Sequence, residues 1–202
     1  MAFASSVGHE ALQADSPVQH LAPEALWWQA TAAGHTSRGG MVLRNVGPAL
    51  SGHGQPELAS WPYKPTLGAG TEDPPAGLGQ PPWNRAGLTP LTLHHDGIED
   101  ELEDALARSH PVILIVEVSD EFREPDIDGI VAVPDVRATV GGYHAVTCVG
   151  AATHPVSGRL LLIKNSWGTD WGLGGYCWLP VDYLIAFGAE AATVNNIQGN
   201  VQ

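Results

Sequence analysis

Gly141-Gly142-Tyr143-His144-Ala145-Val146-Thr147-Cys148-Val149-Gly150, followed by Leu160-Leu161-Leu162-Ile163-Lys164-Asn165-Ser166-Trp167-Gly168, decides the fold. Both segments are short, apolar and rich in β-branched residues or Leu, which predicts two strands. Thr153 to Gly158 between them holds Pro155, Ser157 and Gly158 and reads as a turn. An antiparallel hairpin about that turn is expected to set Ala151 opposite Gly158, and therefore His144 opposite Asn165. Opposed residues have Cβ atoms ~5 Å apart on one face of the sheet. An imidazole and a carboxamide held that way share a hydrogen bond that fixes the ring's tautomer. Trp167, two residues on, is large enough to cover the pair from water. A base with an orienting amide is half of a nucleophilic catalytic site.

Three motifs carry a family resemblance: Tyr143-His144-Ala145-Val146, Lys164 to Gly172, and Gly174-Gly175-Tyr176. Together they resemble the C-terminal half of papain-like cysteine peptidases. The resemblance extends upstream. Met1-Ala2-Phe3-Ala4-Ser5 looks like the segment that follows the family's nucleophilic Cys, and Leu21 to Glu24 like the opening of its next helix. Gly39-Gly40 matches the pair that admits a substrate strand. Gly54 to Glu57 and Trp61-Pro62-Tyr63 resemble a loop of the bacterial members.

The resemblance implies an α+β papain-like fold. A helical subdomain is expected over 1–92 and a β-rich one over 93–202, with a cleft between them. It implies a hydrolase acting on peptides or proteins, with no cofactor. His144 and Asn165 would be catalytic and Trp167 and Trp171 supporting. Gly39, Gly40, Met41 and Ala145 would line the substrate. It also exposes a gap. The nucleophilic Cys would stand just before Met1, so the 202 residues supply no nucleophile and no oxyanion Gln. A missing oxyanion donor costs about 3–4 kcal/mol of transition-state stabilisation. Two readings stay open: a peptidase whose start lies upstream, and an inactive relative that binds peptides or acts as a scaffold.

Neither cysteine fills the gap. Cys148 is four strand residues from His144, ~13 Å. Cys177 sits between Tyr176 and Trp178 in an expected strand, with no helix dipole to lower its pKa. Ser5 and Ser6 lie inside the first helix, past the nucleophile position.

Composition narrows the partners. The net charge is -13, with 9 Lys and Arg against 22 Asp and Glu. The acidity is concentrated after residue 98, where 5 basic residues face 15 acidic ones. Such a surface repels phosphate backbones, so nucleic acid is not an expected partner. The apolar run Val112 to Val116 is too short to span a bilayer. No basic and apolar leader opens the sequence, and two cysteines cannot build a secreted disulfide framework, so a cytoplasmic location is expected. His94-His95-Asp96 reads as a loop with Asp96 capping the following helix rather than as a metal site.

Outside the hairpin, Met1 to Ala14 is expected as a helix with Phe3, Val7 and Ala11 as its apolar stripe. A second helix is expected from Leu21 to about Gly34. Lys64 to Asp96 reads as an irregular crossing, Ile98 to Leu106 as a helix, Pro111 to Ser119 as a buried strand and Asp120 to Asp128 as an acidic loop. A strand over Val131 to Val140, one over Gly175 to Leu179, a short helix to Phe187 and a closing strand over Ala191 to Val194 complete the chain.

Overall fold

The computed structural model describes residues 1–13, 17–37, 40–64, 73–135 and 142–197. Gly39, Ala14 to Ser16, the end of the 131–140 segment and Gly141 lie outside them. Two compact units form: Met1–Thr89 joined by the segment from Val194, and Pro90–Thr193.

The first unit holds α1 (Ala2–Glu10), α2 (Pro23–Ala32), a short antiparallel pair β1 (Thr36–Ser37) and β2 (Gly40–Met41), and α3 (Leu43–Gly52). Pro23 at the start of α2 uses a position whose N–H has no helical partner. The buried face of α1 is not the expected stripe. Phe3 is exposed and stacks edge-on against Tyr63 at 4.9 Å, Val7 is half-buried and Ala11 is exposed. Ala4, Ser5, Ser6, Gly8 and His9 are buried instead. The hydroxyls of Ser5 and Ser6 turn back onto the carbonyls of Met1 and Ala2, which lets polar residues occupy an interior face. The two serines are therefore helix-bonded interior groups. Trp61 anchors a second small core with Ala22 and Ala25, flanked by Trp28, Leu78 and Trp83.

The second unit is built on an antiparallel sheet. Its strands are β4 (Val112–Glu117), β5 (Tyr143–His154), β6 (Gly158–Lys164), β7 (Tyr176–Pro180) and β8 (Gly188–Asn196). The full order is β3-β8-β4-β5-β6-β7, with β3 at Ala86–Leu91. That strand lies inside the stretch expected to be irregular; its Pro90 and Gly87 mask the strand pattern. The helix α4 (Ile98–Ala107) buries Ile98, Leu102 and Ala105. Its N-cap is Gly97 with φ 88, not Asp96, because the chain enters in a left-handed turn that suits glycine. The Val112–Val116 run is buried on both faces, as the centre of a covered sheet requires. A helix turn, α5 (Asp120–Arg123), replaces the first part of the expected acidic loop. Ser119 caps it by accepting from the Phe122 N–H at 3.1 Å, and Phe122 is fully buried. Ile130 makes only an isolated bridge to Trp178, and 131–135 form no strand. After β7, α6 (Val181–Phe187) turns Tyr183, Leu184 and Phe187 into the core.

The hairpin register differs from the expected one. β5 runs on to His154, which pairs with Gly158, and Ala151 pairs with Leu161. A bulge between Cys148 and Gly150 shifts the ladder by one, leaving Thr147 opposite Lys164. Pro155 to Ser157 alone make the turn, so the strand continues through residues that their composition assigned to the loop.

Candidate active site

The shifted register moves His144 and Asn165 apart by a diagonal step. Continued one residue beyond Lys164, it would set Asn165 across from Val146, and His144 is two residues farther on the same face. A long side chain still spans a diagonal. His144 Nε2 and Asn165 Oδ1 lie 2.8 Å apart.

Which ring nitrogen carries the proton follows from a third group. The Ser166 backbone N–H donates to Asn165 Oδ1 at 2.7 Å, which identifies that atom as the oxygen. An amide oxygen only accepts, so Nε2–H donates to it and the neutral ring leaves Nδ1 bare. Asn165 is 4% exposed, and its Nδ2 has no partner among the described residues. Burial lowers the His144 pKa below the usual imidazole value, against the opposing pull of the Asn165 bond.

An aromatic wall encloses the pair. The Trp167 and His144 rings are 4.8 Å apart and tilted by 31°. Trp167 meets Trp171 edge-on at 5.5 Å and Phe122 at 5.7 Å. Trp171 Nε1–H donates to the Arg123 carbonyl at 3.0 Å, tying the tryptophan loop to α5. Phe122 also contacts Trp171 and Tyr183, and the Tyr183 hydroxyl donates to the Glu117 carbonyl at 2.7 Å. The loop from Trp167 to Gly175 is wound tightly enough to do this by its glycines. Gly172 has φ 55, and a Cβ there would strike the Tyr176 carbonyl. Lys164 Nζ, 3.2 Å from the Asn165 carbonyl and 4.7 Å over the Tyr176 ring, braces the strand just before Asn165.

Of the expected residues, the structure brings His144, Asn165, Trp167 and Trp171 together. Ala145 adjoins His144 on β5 and is half-buried. Gly40 and Met41 form β2 of the first unit. Phe122, Tyr183 and Lys164 had no assigned part. Ser119-Asp120-Glu121-Phe122 did carry a signal, a Ser cap followed by acids in the first turn.

Comparison with known proteins gives the family and the fold. The model of the papain family cysteine proteases matches residues 83–192, over half the chain. The chain belongs to the papain family. A peptidase C1-like protein of Acanthamoeba polyphaga mimivirus is 33% identical over 102 residues, 50% of this chain and 32% of that protein. The silicatein of Petrosia ficiformis is 33% identical over 91 residues, covering 45% and 26%. Cathepsin L of Sarcophaga peregrina is 32% identical over 81 residues, covering 40% and 24%. The chain thus spans a third or less of the length of these curated relatives. Among solved structures, xylellain of Xylella fastidiosa superposes with a TM-score of 0.75 at 21% identity, covering 98% of this chain and 79% of that one. The bromelain protease of Ananas comosus, in complex with the E64 inhibitor, gives 0.70 at 17%, covering 97% and 88%. These two share the papain-like α+β fold.

Both cysteines of this papain-family chain are buried and free. Burial pushes each thiol up to about 12, with Cys148 adding to the effect on Cys177. A thiol that stays protonated is not a nucleophile at neutral pH. Among the described residues, no group of three or more His, Cys, Asp or Glu could hold a metal. His95 is engaged by the Asp96 carbonyl and by Glu101. No helix among the described residues is long and apolar enough to cross a membrane.

Proposed function

We propose that the second unit carries the histidine–asparagine half of a cysteine peptidase site, with His144 as base and acid and Asn165 as its orienter. The observation that supports this most is the 2.8 Å bond from Nε2, which leaves Nδ1 bare. A bare nitrogen on a ring kept neutral by burial takes the proton of a neighbouring thiol. The resulting thiolate attacks a peptide carbonyl. His144 then protonates the leaving amine and later activates water to release the acyl product. Trp167 keeps water from the bond to Asn165, and Trp171 backs Trp167. The family resemblance assigns the thiol to a Cys preceding Met1, and the substrate strand to Gly39, Gly40, Met41 and Ala145. The substrate is a peptide or protein in extended form, with an apolar residue near the cleaved bond.

The test compares the 202 residues with the same chain extended by its upstream coding sequence. The 202 residues should hydrolyse no fluorogenic peptide. An in-frame Gln and Cys upstream should give turnover, labelling by a thiol-directed epoxide, and a fall of about 10³-fold or more in kcat for His144→Ala. Turnover by the 202 residues that His144→Ala abolishes would refute the assignment of the nucleophile. The second reading is a relative that binds peptides or acts as a scaffold without turnover. An in-frame stop codon in place of that Cys selects it.

A further inference from the structure

The first unit contains a second imidazole–carboxamide pair, beside a cavity that the peptidase reading does not use. His9 is 7% exposed and its Nδ1 is 3.2 Å from Gln55 Oε1. Gln55 is fully buried, and its Nε2 donates to Ser6 Oγ at 2.5 Å and to the Ala22 carbonyl at 3.0 Å. Both amide protons are therefore committed, and Oε1, an amide oxygen, only accepts. His9 must donate from Nδ1, so Nε2 carries a lone pair. No other hydrogen bond to the ring is made among the described residues. Burial lowers the His9 pKa, opposed by the Gln55 bond and by Glu10, and so keeps the ring neutral.

His9 lines a cavity of ≈ 330 Å³ shared with Gln13, Gln19, Leu21, Asn84 and Arg85. That is near the lower end of the range for small-molecule sites, about 300–1,000 Å³. Gln55 is not in its wall, so the edge of the ring turned from Gln55 is the one available to the cavity. Gln13 is held by two bonds to the Gln19 backbone, each 2.7 Å, which fixes that wall. Asn84 is held through its backbone N–H and carbonyl, both paired with Gln55. Arg85 makes no hydrogen bond or ion pair among the described residues. Leu21, 2% exposed, supplies an apolar surface.

A bare ring nitrogen that accepts and a guanidinium that donates call for a ligand with one N–H and one anionic fork. Arg pairs carboxylates in bidentate fashion, and a neutral imidazole accepts from an amide. We propose that this cavity binds an N-acylated α-amino acid carboxylate, the chemistry of a free peptide C-terminus. The carboxylate lies on Arg85, the amide N–H on His9 Nε2, and the side chain over Leu21. This site is independent of His144 and stands whether or not the chain is a peptidase.

The experiment uses three probes on the 202-residue chain, read by calorimetry and by the ¹⁵N shift of His9 Nε2. N-acetylalanine should bind and move that shift. N-acetylalanine amide lacks the carboxylate and N-acetylproline lacks the N–H, and each should bind at least about tenfold more weakly. Arg85→Gln, on an exposed residue, should weaken N-acetylalanine by a similar factor without changing the unfolding midpoint. An acetylated trialanine acid that binds tighter than N-acetylalanine assigns the site to peptide ends, and equal affinity assigns it to free acyl amino acids. Equal binding of N-acetylproline, an unchanged Arg85→Gln, or no His9 shift at saturating probe overturns the proposal.

Discussion

Among the described residues a buried histidine, His9, and a half-buried one, His144, are each tied to a carboxamide oxygen, and they sit in opposite kinds of surroundings. His9 belongs to a polar network in which Gln55 reaches Ser6, Ala22 and the ring at once. His144 belongs to an aromatic wall in which Trp167, Trp171 and Phe122 touch in sequence. In the first pair every polar group of the amide is used. In the second, Asn165 Nδ2 is left without a partner among the described residues. The pairing of an imidazole with an amide is thus no mark of catalysis by itself. The difference lies in what the remaining ring nitrogen faces and in what keeps water from the bond.

The comparison predicts unequal responses to mutation. Phe122→Ala removes the residue that joins Trp167, Trp171 and Tyr183, and should cost about 3–5 kcal/mol by urea unfolding. A cost below 1 kcal/mol would mean that the wall does not depend on it. Gln55→Ala leaves the His9 Nδ1–H without its acceptor in a buried space, and should cost about 1–3 kcal/mol. Asn165→Ala should cost less, since one side of that amide is already unsatisfied. The reverse order of the two amides would break the contrast between the two pairs.

The pH dependence follows from the direction of both shifts. An unfolded histidine titrates near 6.5. Both folded rings titrate lower, chiefly through burial. Below that value, down to the folded pKa, the unfolded chain binds more protons than the native one. Stability is therefore complete above about pH 6.5 and lost as pH falls through it. The urea midpoint should drop over that window, and His144→Gln should reduce the drop by the share His144 holds. The smallest effect is the sharpest. Trp167→Ala exposes the His144 bond, so its imidazole pKa, read by ¹⁵N NMR, should rise toward 6.5. The His9 midpoint should stay where it is.

How far the sequence reaches differs between the two pairs. His144 on β5 and Asn165 just past the end of β6 lie in two short motifs, so their meeting was legible from strand pairing, with Trp167 close by in sequence, while the place of Trp171 came from the family resemblance. The register was not, because both strands run further into the turn than composition announces, setting Ala151 opposite Leu161, and a bulge near Val149 then shifts the ladder by one. The pair forms in either register, since His144 and Asn165 lie on one face and a diagonal is within reach. Phe122 escaped notice for a different reason. It sits among acids, and its burial depends on Ser119 capping a four-residue helix against the tryptophan loop.

His9 and Gln55 were invisible as a pair. They are 46 residues apart, on a helix and in a loop, and α1 turns a face of Ala, Ser, Gly and His inward where periodicity favoured Phe3, Val7 and Ala11. The sequence by itself determined the β5–β6 hairpin, the papain-family motifs and the pairing of His144 with Asn165, because neighbours across a hairpin are neighbours by arithmetic. Only the tertiary structure decided which nitrogen of each ring is bare, since that depends on donors such as the Ser166 N–H and the Gln55 amide. Hydrogen-bond partners brought together by packing leave no period in the chain, and the proton follows the partners.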